Sequence, residues 1–343
     1  MTTPETSGSR LRAYAQFIVA VIYFFLARAL SRHSAQTLAS EQWYPLVEQA
    51  FLVLLLLLGY AWLGSRVDRQ KHPVSAQGLP LRPGWQTEAG MGMAFGWALA
   101  VTCVLVMVLA GGIAIVLSTQ PSDWMWLLAD AAFFALAALA EEIVFRGYGF
   151  QRFVHAVGPI GAALGFAAFY AIVQAAVPGS NHASIAVSVA LSLVLSTAYL
   201  RTKALWMSWG LNFGWKASRA LIFGLAVSGV SSHSPVVQGD PMGPFWITGG
   251  GYGLDGSWVA FLVLLAAIPI IFRVTRELDF KYNAPVIVAA GIPVDLDAAA
   301  RRQHEAATRP AEPPAPTLVQ IGPAATPPQL PQKDETGQTS EPQ

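Results

Sequence analysis

Eight apolar stretches follow one another along the chain, at 14–30, 44–64, 89–117, 124–153, 160–177, 185–200, 204–227 and 258–272. A helix that crosses a bilayer needs about 20 such residues, so the pattern predicts an all-α polytopic membrane protein with about eight transmembrane helices. The sixth and eighth stretches are short for a span. The first stands where a secretory signal would, but its apolar region is longer than a signal core and Arg28 and Arg32 close it, which favours an uncleaved anchor. The Pro/Gly-rich segment 228–256 reads as a loop. Residues 295–343 are rich in Pro, Ala, Gln and Glu without apolar periodicity, and such a segment buries too little surface to offset its chain entropy. The expected organisation is N-terminal transmembrane helices over 1–118, a second membrane domain over 119–275, and a mostly disordered tail over 276–343.

Composition supports this reading. Of 343 residues, 54% are hydrophobic and 12% charged, about half the charged share of a soluble domain. The net charge of +1 and the absence of a basic run exclude a nucleic-acid partner. The single cysteine, Cys103, excludes an intrachain disulfide framework and a Cys-rich zinc site. Arg10, Arg12, Arg66, Arg69, Lys71, Arg82, Arg152, Arg201, Lys203, Arg273, Arg276 and Lys281 all fall on one side of the alternating spans, and Arg32 alone on the other. By the positive-inside bias both termini are expected in the cytoplasm, with the bilayer as the first partner.

Against this background Glu141, Glu142, Arg146, Lys216 and Arg219 stand out, because each lies in apolar sequence. A charge there costs at least about 2.5 kcal/mol, so it faces a partner or a cavity. Structural ion pairs between helices are the plain explanation. Glu142 and Arg146, four apart, share a helix face and can pair; Glu141 is rotated about 100° from Glu142 and needs a different partner or water. An acid held by arginine beside a free acid suits water activation by a general base. Counting from the helix ends at about 1.5 Å per residue puts Glu141, Val173, Asn212 and Lys216 at one level near the membrane middle. Lys216 is therefore expected within ion-pair reach of Glu141 or Glu142.

At these residues the chain resembles the CPBP family of intramembrane proteases, which includes CAAX prenyl endopeptidases, bacteriocin-processing proteins and Abi-type proteins. Glu141-Glu142-Ile143-Val144-Phe145-Arg146, followed by Gly147, matches the family's EExxxR motif. Gly210-Leu211-Asn212-Phe213-Gly214-Trp215-Lys216 resembles the setting of its HxxxN motif, and 223–229 and 249–257 also look like bacterial members. The resemblance covers roughly 124–272. It implies a bacterial inner-membrane protein that hydrolyses a membrane-associated peptide or protein, CAAX-like or leader-bearing; no cofactor is expected, and no metal either, because two carboxylates without histidine make a poor zinc site. Glu141 would activate water, Glu142 and Arg146 would hold the helix, and Asn212 and Lys216 would polarise the carbonyl.

The departures are specific. Asn212 and Lys216 stand where the third motif has histidine and asparagine. The second motif, FxxxH, starts at Phe169 and puts Val173 in the histidine's place, with polar Gln174 next to it. His182, in an outer loop, and His155, in an inner one, do not replace the missing imidazoles. Lys216 either neutralises Glu141 in an inactive site or serves as an oxyanion donor. The alternatives to a protease are a non-catalytic member that binds a partner or peptide, as an immunity or scaffold protein would, and, with less support, a transporter.

Overall fold

The computed structural model describes residues 7–118, 120–282, 301, 304 and 305. The chain divides into two units, Met1–Val294 and Asp295–Gln343. The disorder expected for 295–343 lies outside the described residues, apart from helical Arg301, His304 and Glu305. The architecture below is that of the first unit.

Each of the eight apolar stretches holds a helix. In chain order the elements are α1 Ser7–Leu38, α2 Tyr44–Arg66, the single turn α3 Pro73–Ala76, α4 Trp85–Ala110, β1 Ile113–Leu117, α5 Pro121–Arg146, α6 Tyr148–Ala175, α7 His182–Thr202 and α8 Leu205–Ala217. A π-turn, Ser218–Ile222, extends α8; β2 Val237–Pro241, the turn α9 Phe245–Thr248, α10 Trp258–Val274 and α11 Arg276–Tyr282 follow. Among the described residues, five helical runs suffice by length and composition to cross a membrane, or six with α10 and α11 taken as one span bent by 59°. One of the five is the 55-residue run Pro121–Ala175. At about 1.5 Å per residue that is more than twice the bilayer core. It comprises α5 and α6, which break at Gly147 with non-helical φ/ψ. A second kink at Gly158, φ 84°, precedes Pro159 inside α6. Short α8 falls below span length because the π-turn and two cations end it.

Several boundaries differ from the sequence expectation: the stretch 204–227 leaves its helix at Ala217, the expected loop 228–256 carries β2 and α9, and α11 lies in the expected tail. The stretch 89–117 is not one helix: α4 stops at Gly111, and the β-branched run beyond it pairs antiparallel with β2, from Ile113 opposite Pro241 to Leu117 opposite Val237. The stretch 124–153 ends its helix at Arg146, so no inner loop separates α5 from α6 and His155 is an exposed helical residue. Glu141 is therefore about 7.5 Å from the end of its helix, not the roughly 18 Å that an end at Phe153 implies.

Two apolar cores form. Buried side chains of α4, α7, α8 and α10 make one, around Met107, Val194, Trp215 and Leu264. Those of α1, α2, α5 and α6 make the other, around Leu56, Tyr60, Ile143 and Phe150. Outward faces carry exposed Leu58, Leu109, Leu128 and Ile172, as lipid contact requires. Polar links gather at the two ends. At one end Arg152 meets Asp68, Gln151 meets Tyr199, Arg82 meets Glu88 and the Thr202 carbonyl, and Arg201 meets Asp279. At the other, His233 and the Ser234 amide meet Asp130.

The closest packing is between α4 and α8. Gly92 and Gly96 on one helix face Gly210 and Gly214 on the other, each pair four apart. A methyl group on Gly92 would stand 2.1 Å from the Met207 carbonyl oxygen, and one on Gly210 2.1 Å from that of Ala89. One on Gly96 would stand 2.2 Å from the Leu211 carbonyl oxygen. Small residues at this spacing let backbones touch, the usual solution where lipid gives no hydrophobic drive to association. The seam fixes the rotation of α8, and with it the direction of Asn212 and Lys216.

Candidate functional site

The site lies where the two cores meet. α5 brings Glu141, Glu142 and Arg146 from one core, and α8 brings Asn212 and Lys216 from the other. A hydrogen bond from Trp209 Nε1 to the Ala135 carbonyl, 3.0 Å, locks the two helices together.

All five predicted residues are brought together. Glu142 is fully buried; its Oε1 accepts Arg146 Nη1 at 3.2 Å and Asn212 Nδ2 at 3.1 Å. Arg146 reaches on to the Ser192 carbonyl of α7 at 3.0 Å. This is the i, i+4 pair that the spacing predicts, tied to a third helix. Glu141 turns to the other side. Its Oε1 accepts Lys216 Nζ, and its Oε2 accepts Asn212 Nδ2 at 3.0 Å. Its side chain is 29% exposed and that of Lys216 12%, so this pair stands at the edge of the protein rather than in its core. One amide, Asn212, thus bridges both carboxylates. Arg219, presented by the π-turn, pairs not with these acids but with Asp255 at 2.6 Å. Asp255 lies in the glycine-rich loop after α9. Burial there opposes its charge, but Arg219 and Ser228 outweigh burial and hold the carboxyl below its ordinary range.

On α6 the structure corrects the motif register. Val173 is exposed, whereas Gln174 is buried and donates through Nε2 to the Tyr252 hydroxyl. One turn closer to the acids, Tyr170 Oη donates to Glu141 Oε2 at 3.4 Å, its ring edge-on to Phe145 at 4.8 Å. Phe169 packs against the core beside Tyr170 and Val173 faces outward, but the inward polar pair on this helix is Tyr170 and Gln174. Neither was a candidate from the motif, although two polar residues four apart on an apolar helix were a readable signal. His182 opens α7 behind the Asn181 capping box, and His155 is exposed on α6; the cluster around Glu141 contains neither. Among the described residues no group of three His, Cys, Asp or Glu side chains is placed to hold a metal ion.

Residues 122–218 match the family model described as Type II CAAX prenyl endopeptidase Rce1-like, in support of the resemblance to the CPBP family. The match takes in α5 to α8 and with them all five candidate residues. It covers less than a third of the chain and leaves out α1, α2, α4 and the glycine-rich loop, so it is narrower than the resemblance over 124–272. Comparisons with curated proteins and with solved structures gave no significant match.

Proposed function

We propose that this multi-pass membrane protein is a CPBP-type intramembrane endopeptidase in architecture, directed at a membrane-associated peptide or protein segment, and that its hydrolytic step is slow. The supporting observation is the state of Glu141. Both of its oxygens accept hydrogen bonds, Oε1 from Lys216 and Oε2 from Asn212 and Tyr170. A carboxylate so occupied has about three of its four acceptor positions filled, which leaves little of it to activate water.

Entry of a substrate carbonyl between Lys216 and Glu141 would change both groups at once. Lys216 would move onto the carbonyl oxygen, where a cation stabilises developing negative charge. Glu141, released, would take a proton from water as the water oxygen attacks the carbonyl carbon. The same proton would then pass to the leaving nitrogen as the peptide bond breaks. Glu142, Arg146 and Ser192 would hold α5 in place. The step costs the ion pair, and no imidazole assists it, hence the low rate. The non-catalytic reading draws on the same closed pair: a cleft kept shut by Lys216 would bind a peptide without cutting it.

A cleavage assay in liposomes separates the two. Slow cleavage of a CAAX-type or leader peptide that disappears in Glu141→Ala supports the enzyme; peptide binding without turnover in either protein supports the binder. The bias of Lys and Arg to one side of the spans favours cytoplasmic termini in a bacterial inner membrane. Reporter fusions at Ser180 and Gly239 are expected to report the outer side, and a cytoplasmic signal at Gly239 would reverse the scheme.

A further inference from the structure

We propose that Arg219 and Asp255 are positioning residues for Lys216: through them the glycine-rich loop holds the end of α8 in the orientation that puts the Lys216 amine on Glu141. The inference rests on the reading that Lys216 and Glu141 are the groups that change partners in the reaction. α8 leaves regular helix just after Lys216. Ala217 is its last residue, and Ser218–Ile222 is a π-turn, a rare winding often found at functional sites. Lys216 is thus a long side chain at the end of its element, and its direction depends on what fixes that turn. Arg219 fixes it from two sides. Its Nε donates to the carbonyl of Trp215, the residue before Lys216, at 2.9 Å, and its Nη1 donates to Asp255 Oδ1 at 2.6 Å. The guanidinium also lies over the Trp215 ring, 4.3 Å from its centroid. The Arg219 side chain is fully buried, so water does not compete for these bonds.

The other end of the clamp is itself fixed. Asp255 Oδ2 accepts the Ser228 amide and the Ser228 hydroxyl, each at 2.9 Å. A methyl group on Gly253 would stand 2.0 Å from the Ala226 carbonyl oxygen, so the loop lies directly on the chain that follows the π-turn. Tyr252 ties the loop to Gln174 of α6, and Ser257 ends it as the N-cap of α10, accepting from the Val259 and Ala260 amides. The site acids do not need Arg219 for neutrality, since Glu142 has Arg146 and Glu141 has Lys216. Nor is stability a sufficient reason for a buried ion pair, because apolar residues of similar size often serve as well. What this pair supplies, and apolar residues would not, is direction. A planar guanidinium sets the Trp215 carbonyl and the Asp255 carboxylate at a fixed angle to one another.

The test reads the reactivity of the lysine rather than turnover. The full chain in liposomes is treated with a membrane-permeant acylating ester, and modification of each lysine is followed by mass spectrometry. An amine held on a carboxylate stays protonated and reacts slowly. Arg219→Met/Asp255→Asn removes both buried charges together, which leaves neither bare. It is expected to speed acylation of Lys216 on the order of tenfold, the effect of one charged hydrogen bond, and to leave exposed Lys203 within about twofold. Arg219→Lys keeps a cation for Asp255 but loses the arm to the Trp215 carbonyl, and the same rise is expected; it decides the matter if the neutral pair does not fold. An unchanged Lys216 rate in either folded variant, or an equal rise at Lys203, would overturn the proposal. A wild-type Lys216 that reacts as fast as Lys203 would overturn both the proposal and the closed pair with Glu141. Absence of peptide cleavage, by contrast, counts against the endopeptidase reading alone, because the acylation rates do not depend on it.

Discussion

The molecule holds two carboxylate–cation pairs on consecutive residues, and they differ in almost everything but charge. Glu142–Arg146 is made within α5, its side chains no more than 1% exposed, and it is anchored to Ser192 on α7. Glu141–Lys216 is made between α5 and α8, across the boundary of the two cores, and is partly open. The first pair can break only by leaving a bare charge in the core. The second can open by a movement of one side chain, with Asn212 and Tyr170 still on the acid. The difference teaches which acid is architecture and which is available for chemistry, a distinction that the Glu-Glu dipeptide does not carry by itself.

The sharpest test of the comparison restores imidazoles around the open pair. Gln174→His with Asn212→His and Lys216→Asn is expected to raise peptide cleavage by about 100- to 10,000-fold, the range of acid–base assistance. The same set with Val173→His in place of Gln174→His is expected to gain less, because that side chain faces outward. Next in size is the closed pair. Arg146→Met leaves Glu142 uncompensated and is expected to cost about 3–5 kcal/mol in an unfolding titration in mixed micelles. An equal loss from Lys216→Met would erase the contrast. For Lys216→Met the expected loss is about 1–3 kcal/mol, partly recovered by Glu141→Gln; a double-mutant cycle with no coupling would show that the pair does not interact. The smallest effect belongs to Tyr170→Phe. Its 3.4 Å contact is long for an O–H donor, so the expected loss is at most about 1 kcal/mol, read in the same titration.

Much of this was legible in the sequence. Spacing alone put Glu142 on Arg146; Asn212 and Lys216 do meet Glu141, but the depth count that suggested it placed the end of α5 at Phe153, seven residues too late. The second motif was not legible to the residue: one position along a helix turns a side chain by about 100°, and only the packing of α6 selects Gln174 over Val173. β1 was hidden because Ile113–Leu117 is as apolar as the helix before it, and only Gly111 and Gly112 announce the break. The glycine pairs Gly92/Gly96 and Gly210/Gly214 were present as a pattern, but which two helices they join depends on the tertiary fold.

That seam has a consequence for how the protein is made. α4 enters the membrane more than a hundred residues ahead of α8, so during synthesis its glycine face waits in lipid without a partner. Asn212 and Lys216 reach their acids only when α8 docks on that face. Until then Glu141 is a lone carboxylate in a nascent chain. The docking of α8 is therefore also the step that shields this acid, and a chain halted before α8 would present the membrane's quality-control machinery with a charge that lacks its lysine.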